Sequence, residues 1–562
     1  MARPPLHISL DNMKKIIYLM SFVSLLFFTA CDDFLTETNK SNPDAASFYK
    51  TASGYESLIN ACYSTLRDVY GDNIEIFVAG TDLYKVGRAG LVSQGLGNYQ
   101  NLTPADNSVK TFYTVVYQSI KKCNDAIYFG ELYKQNATKI AEVRFLRAFY
   151  YFNLVQQFGD VALVTDMITT PITDYPRTPA ADVYKFIIDE MKAAYTNLPE
   201  TAANRVNQRV VNHYLALVYL TRGYETYGDK TDFSTAADYA TAAIKGQGLT
   251  LPFDGKTGIF FPGNEKNAEV IFAVQYSSTS LASVSSGNSQ ATNFGAYLGG
   301  SDGATGDGMP YMNTRLKMTM RLYNLLAEDP KDTRFAGTFM QELYGTVSTG
   351  KCSYYSYFKK YDTRTDLEVL MYYPKPGDTQ ANVDAWKAIS PTKRSGTTIK
   401  WPGTDNWSKN DLDKDYPIIK KFSDPTSAFN ATGSTRDIFL ARLAETYLIR
   451  AEAYIKMGGK QTEAKSDINV VRTRAGATAI TESQATIDYI LDERAREFAG
   501  EYNRWYDLKR TGKLVQYVTA YNPDVPSESN MKGNDGQYKI LRPIPQDAIG
   551  LNTATITQNP GY

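Results

Sequence analysis

Residues 210–246 read VVNHYLALVYLTRGYETYGDKTDFSTAADYATAAIKG, and this stretch decides the fold. Leu215, Ala216, Tyr219 and Gly223 recur at helical spacing before a Gly228-Asp229 turn, and Phe233, Ala236, Tyr239, Ala240 and Ala243 follow with the same period. Small residues alternating with aromatic ones let two antiparallel helices approach closely while the rings fill the gaps. Residues 444–471 (AETYLIRAEAYIKMGGKQTEAKSDINVV) repeat the plan, with Ala444, Tyr447, Ala451, Ala453 and Tyr454 before Gly458-Gly459, then Ala464, Ile468 and Val471.

This plan resembles the tetratricopeptide helix hairpin, whose period is about 34 residues. Further helical periods are read at 53–70, 109–133, 140–158, 181–198, 210–227 and 233–245, punctuated by Gly159-Asp160, Pro179, Pro199 and Gly246. From Leu249 to Thr435 the character changes to Gly, Ser, Thr, Asn and Tyr with few long periodic runs. Glu269–Tyr276 and Pro417–Phe422 are expected there as short strands. The expected fold is mainly α, a tetratricopeptide-like helical-hairpin scaffold with a long irregular, loop-rich insertion containing a few short strands. Its parts are an N-terminal scaffold (31–248), the insertion (249–435) and a C-terminal helical pair with a tail (436–562), together one unit over 31–562. Loops on a rigid scaffold commonly carry binding, which directs attention to the insertion.

Residues 1–30 are expected to be a signal peptide. Met13-Lys14-Lys15 is a cationic start, residues 16–29 (IIYLMSFVSLLFFT) are almost wholly apolar, and Ala30 precedes Cys31-Asp32-Asp33. Residues 1–12 do not look like a signal start, so the expected initiator is Met13. The apolar run is shorter than the roughly 20 residues needed to cross a bilayer. Phe28-Thr29-Ala30-Cys31 resembles a bacterial lipobox, which makes Cys31 the expected lipidation site and the membrane a partner through the anchor.

Composition excludes several chemistries. Sixty basic residues balance sixty acidic ones, so no basic field is available for nucleic acid. The chain has only two histidines, His7 and His213, and four cysteines. A Ser-His-Asp triad or a multi-histidine zinc site would have to be built on His213, which sits in a helical pattern and reads as a packing residue. Cys62, Cys123 and Cys352 form no disulfide framework and no C-x-x-C. Cys62 and Cys123 both fall on helical segments, where a bridge and two buried free thiols remain alternatives. Asp411, Asp413 and Asp415 have calcium-loop spacing, but Tyr416 and Phe422 stand where such a loop needs Gly and Glu. No metal and no cofactor is expected.

Two further segments carry a family resemblance. One is residues 492–512 (DERAREFAGEYNRWYDLKRTG). The other is the tail, with Arg542-Pro543-Ile544-Pro545, Ile549, Asn552 and Gln558-Asn559-Pro560-Gly561-Tyr562. With the Cys31-Asp32-Asp33-Phe34-Leu35 start, Ile120-x-x-Cys123-Asn124 and Arg442-x-x-Glu445, these resemble the SusD/RagB family of nutrient-binding outer-membrane lipoproteins of Bacteroidetes. One departure is Thr553, where the family usually shows Pro, which touches a local turn. The resemblance implies a cell-surface, outer-membrane lipoprotein facing the exterior. It would be non-catalytic, capturing glycan, or in some members peptide, for a partner SusC-like TonB-dependent transporter.

The residues of 492–512 read structurally as one helix. Glu493 and Glu497 are four apart and share a face, Arg494 and Arg496 can bridge to neighbours, and Arg504, Trp505 and Asp507 mix a large ring with paired charge. Arginine crowding lowers a carboxyl pKa and spoils a general acid, so a buried ion-pair brace is expected rather than a glycosidase pair. Ligand contacts are expected from Asp82, Tyr84, Arg88, Tyr99 and Asn101 in the 80–101 loop. The insertion is expected to add Tyr297, Asp302, Tyr311, Trp401 and Trp407, since sugar C–H faces stack on rings and hydroxyls need paired polar groups. The rival functions are a surface glycoside hydrolase and a helical-repeat scaffold that binds only protein.

Overall fold

The computed structural model describes residues 11, 45–87, 92–202, 204–253, 257–277, 287–294, 315–346, 351–352, 367–402, 416–424 and 433–562. Two compact units divide the chain, Met1–Ser57 and Leu58–Tyr562. The first contains a short helix, Ala45–Tyr49. The boundary between the units falls within helix α1 (Ala52–Tyr70). Everything below concerns the second unit.

The helical scaffold begins with α2 (Asn107–Leu132), α3 (Ala137–Phe158), α4 (Ala180–Tyr195), α5 (Gln208–Arg222) and α6 (Asp232–Ile244). The starts of α2, α3 and α5 are set by side chains that accept from otherwise unpaired N–H groups. Asp106 accepts from Ser108 and Val109 at 3.0 and 3.1 Å, and Asn207 from Val210 at 3.1 Å. Helix α3 is the central one, buried at every position from Phe145 to Phe158. Between α5 and α6 the small-residue pattern has its expected consequence. A Cβ on Gly223 would come within 2.9 Å of the Phe233 ring, and Tyr219 stacks on Tyr239 at 5.7 Å.

After α6 the chain enters the insertion. Strands β1 (Tyr84–Val86) and β3 (Leu316–Met318) pair antiparallel, as do β2 (Val270–Val274) and β10 (Ile438–Arg442). The pair β4 (Phe339–Met340) and β9 (Ile418–Ile419) is antiparallel too. A four-stranded sheet runs in the order β6 (Lys351–Cys352), β5 (Glu342–Thr346), β7 (Glu368–Tyr372), β8 (Thr398–Ile399), with Glu342 opposite Tyr372. Helices α7 (Met320–Ala327) and α8 (Gln380–Ile389) flank these strands. The two strands read from sequence exist but are shorter. The insertion is stitched into the scaffold, because β1 and β10 lie outside it and each pairs with a strand inside it.

The scaffold then resumes where it stopped. Helix α9 (Leu443–Met457) packs on α6 and forms a hairpin with α10 (Gln461–Arg474). Neighbours therefore follow in the order α2, α3, α4, α5, α6, α9, α10, with the insertion spliced between two consecutive members of one array. Residues 492–512 are not one helix, contrary to the sequence reading. Helix α11 (Ile487–Glu497) stops before Gly500 at φ +80°, where a Cβ would meet the Phe422 ring at 2.5 Å, and α12 starts at Arg504 (Arg504–Arg510). Helices α13 (Leu514–Tyr521) and α14 (Gln546–Gly550) complete the chain. Cys62 and Cys123 are buried free thiols, and Cys62 Sγ donates to the Lys122 carbonyl at 3.5 Å. No described helix is long and apolar enough to cross a membrane.

Candidate functional site

The residues of 492–512 build a buried lattice of charge. Glu493 accepts from Arg334, Arg472 and Arg496 at 2.8, 2.9 and 3.2 Å. Glu497 accepts from Arg442 at 2.9 Å and from Arg474, and Arg334 lies 3.4 Å away. Arg494 joins Asp507 at 2.7 Å and Glu445 at 2.8 Å, Arg510 joins Glu452 at 2.8 Å, and Lys421 reaches Glu501 at 2.5 Å. Trp505 is fully buried, with the Arg542 guanidinium 4.5 Å above its ring. Burial alone would raise the Glu497 carboxyl, but Arg474, Arg442 and Arg334 outweigh it and hold its pKa at about 2. Glu493 is lowered in the same way, against its own burial, by Arg334, Arg496 and Arg472. Burial also lowers Lys421, to about 8, despite Glu501. A carboxylate held this firmly ionised is a poor proton donor, and these ion pairs tie α11 and α12 to α9, α10, β10 and the segment carrying Arg334. His213 is buried beside them, its Nδ1 2.8 Å from Thr446 Oγ1, and so ties α5 to α9.

The 80–101 loop lies differently from expectation. Asp82 is wholly buried and binds Arg504 at 2.8 and 2.5 Å and Arg321 at 3.1 Å. Tyr84 is buried, its hydroxyl accepting from Gly500 N–H at 2.5 Å. Tyr99 is buried and donates to the Gly80 carbonyl at 2.8 Å. Asp82, Tyr84 and Tyr99 are thus buried in this structure instead of lining an open loop as expected, because Arg504 and Arg321, Gly500 and Gly80 take up their polar atoms. Asn101 is exposed and Trp401 half-buried. Arg88, Tyr297, Asp302, Tyr311, Trp407 and the lipidation candidate Cys31 lie outside the described residues, as do Asp411, Asp413 and Asp415. Among the described residues no group of three or more His, Cys, Asp or Glu could hold a metal ion.

An aromatic cluster that sequence reasoning missed lies on the four-stranded sheet. Trp386 of α8 stacks on Tyr372 of β7, with centroids 3.9 Å apart and planes 7° from parallel. Arg394 covers the Trp386 ring at 4.5 Å. Glu342 holds the group together, accepting from Trp386 Nε1 at 2.6 Å, from Arg394 at 3.0 Å and from the Tyr344 hydroxyl. Tyr372 and Trp386 are half-buried. Burial, with Asp378 and Glu342 nearby, raises the Tyr372 hydroxyl to about 12, so it is a neutral donor at physiological pH. Lys400 N–H bonds the Tyr372 carbonyl at 2.8 Å, which brings the Trp401 backbone one residue from this cluster. The missed signal was Trp386 in QANVDAWKAI, a helix with Val383 as its buried residue, where a tryptophan has no core to fill. Half-open rings beside fixed polar groups are suited to an apolar sugar face with its hydroxyls.

The tail motif also acquires a physical reason. Asn552 bonds both the N–H and the carbonyl of Tyr175, at 3.0 and 2.8 Å, and Gln558 does the same for Ile544, at 2.7 and 2.8 Å. Asn559 reaches the Phe158 and Arg542 carbonyls at 2.9 and 2.8 Å. Thr553 donates its N–H to the Thr173 carbonyl at 2.7 Å, a bond that proline at this position could not form.

Comparison with known proteins agrees with this architecture. The SusD family model matches residues 268–562, and a second model, described as starch-binding associating with outer membrane, matches residues 33–222. The chain belongs to the SusD family. Among the family's curated members, SusD-like protein P2 of Formosa agariphila is 25% identical over 98% of this chain and all of its own length. The starch-binding protein SusD of Bacteroides thetaiotaomicron is 25% identical over 75% of this chain and 72% of its own. Among solved structures, a laminarin-binding SusD-like protein superposes with a TM-score of 0.65 at 22% identity, covering 92% of this chain and all of that one. The helical fold is thus that of SusD-like proteins.

Proposed function

We propose that this SusD-family protein is a non-catalytic receptor that captures oligosaccharide outside the cell for import through a partner TonB-dependent outer-membrane transporter. The observation that carries this is the match over nearly the whole chain to a family that includes proteins named for starch and laminarin binding. The receptor reading, rather than the hydrolase, is supported by the motif carboxylates, which are ionised and engaged by arginine. Tyr372, Trp386 and Trp401 supply the stacking surface, and Asn101 is an exposed polar contact. The segment from Met13 to Cys31 supports export and acyl anchoring at the outer membrane, with the ligand face to the exterior.

Calorimetric titration of the purified protein with laminarin- and starch-derived oligosaccharides and with a peptide panel tests this. Saturable glycan binding without release of reducing ends is expected. Peptide binding alone would move the cargo to the other class, and turnover would end the receptor reading. Mass spectrometry of the membrane-derived protein should find Cys31 acylated at a new N-terminus, and an unmodified Cys31 thiol would remove the anchor.

A further inference from the structure

A cavity of about 530 Å3 opens between α2, the 162–177 segment and the C-terminal tail, and no residue of the aromatic cluster lines it. Its walls include Tyr113, Tyr117, Ile168 and Tyr175 on one side and Ile544 and Leu551 on the other. Such a volume is that of a small-molecule site. Several polar groups bordering it are engaged within the protein, while Thr114 and Gln118 are exposed on its lining. Tyr117 donates to the Ala162 carbonyl at 3.0 Å, Asn124 to Val164 at 2.9 Å, and Asn552 holds Tyr175. Arg177 binds the Thr557 carbonyl and Asn559 Oδ1, each at 2.7 Å. Those groups are therefore held in place, and the rest of the wall is mainly apolar, which suits an alkyl chain better than a hydroxyl-rich ring. Leu551, on the lining, is 78% exposed.

Charge on the rim is one-sided. Lys110, Lys121 and Arg177 border the cavity against one acid, Asp547. Lys110 pairs with Asp547 at 2.5 Å and Lys121 with Asp125 at 2.7 Å, but both lysines are about half exposed. Exposed pairs of this kind contribute little, so a ligand anion can replace the acid.

We infer that this groove binds a small amphiphile, an alkyl carboxylate whose chain lies along Tyr113, Tyr117, Ile168 and Ile544 and whose head meets Lys110 and Lys121. The site is independent of the glycan reading and survives its failure. Titration of the whole protein with sodium laurate below its micelle concentration tests it, and saturable binding at one site is expected. Ala548 also lines the groove, so Ala548→Phe narrows it and Leu551→Asp charges its mouth, and each lowers affinity by about tenfold or more. Lys110→Glu combined with Lys121→Glu weakens laurate by about tenfold while sparing dodecanol. Four results would overturn the inference: no saturable heat, dodecyltrimethylammonium binding as tightly as laurate, both groove variants binding like the parent, or uptake only by phosphatidylglycerol vesicles. The last would make the groove a membrane contact instead.

Discussion

Glu497 and Glu342 are the same side chain in two settings. In the brace, Glu497 is ringed by Arg442, Arg474 and Arg334, with no face left to solvent. On the insertion sheet, Glu342 is ringed by Trp386, Arg394 and Tyr344, and rings in that cluster stay half-open. Both carboxylates hold three groups in register. The brace ties its carboxylates to basic side chains in the interior and leaves little of them exposed, although Arg474 Nε, Arg494 Nη1 and Trp505 Nε1 are buried without a hydrogen-bond partner. The insertion cluster fixes its polar edges and leaves aromatic surface over. Pre-organised, half-covered rings are what recognition needs, and paired interior charge is what a scaffold needs.

The strongest break in this contrast is Glu497→Gln, which leaves Arg442 and Arg474 buried against a neutral amide. Removing one partner of a buried pair costs about 3–5 kcal/mol, so urea unfolding should show a loss of that order or no folded protein at all. A variant as stable as its parent but altered in a turnover activity would refute the brace.

Acid offers the next test. The Glu497 pKa falls from an ordinary 4.5 to about 2 in the folded state, so the stability it contributes is fully present above about pH 4.5 and is lost as pH falls toward 2. That difference is worth about 3 kcal/mol from this one group. Denaturant midpoints should fall steeply between pH 4.5 and 2. A flat profile there would mean that the arginines do not hold the carboxylate.

On the insertion side the effect moves from stability to affinity. Trp386→Ala removes a stacked ring of a half-buried cluster and should weaken oligosaccharide binding about tenfold. Its thermal midpoint should move far less than that of Glu497→Gln. Unchanged affinity with a lost midpoint would show that the cluster is structural like the brace, and the contrast would collapse.

These regions also differ in how much of them could be read from sequence. The hairpins were legible because helix packing is written locally: Gly223 and Phe233 are ten residues apart, and their spacing alone places a ring against a bare backbone. The brace was legible as chemistry, since Glu493, Arg494, Arg496 and Glu497 can be buried only if paired. What could not be read was its reach. Asp82, Tyr84 and Tyr99 look like a polar and aromatic surface loop, yet Asp82 is claimed by Arg504 and Tyr84 by Gly500. The aromatic cluster was invisible for the same reason: Trp386 is explained only by Glu342 and Tyr372, which a sheet register brings to it. Long-range pairing leaves no local period, and it decides which polar residues remain free.

The smallest expected effect isolates burial from geometry. Lys185 and Asp189 form an ion pair at 2.5 Å on α4, with side chains 73% and 58% exposed. Lys421 and Glu501 form one at the same 2.5 Å, with side chains 0% and 5% exposed. Distance alone would rank them equally. Water screens the first pair, and both long side chains lose rotamer freedom to hold it, so a double-mutant cycle on Lys185 and Asp189 should return no more than about 0.5 kcal/mol of coupling. For the second pair, truncating Lys421 leaves Glu501 with Arg442 alone in an interior that cannot solvate it, and the loss should approach that of Glu497→Gln. A surface coupling as large as the buried one would mean that solvent exposure does not separate scaffold charge from surface charge in this fold. The brace would then lose the physical reason for its placement around α11 and α12.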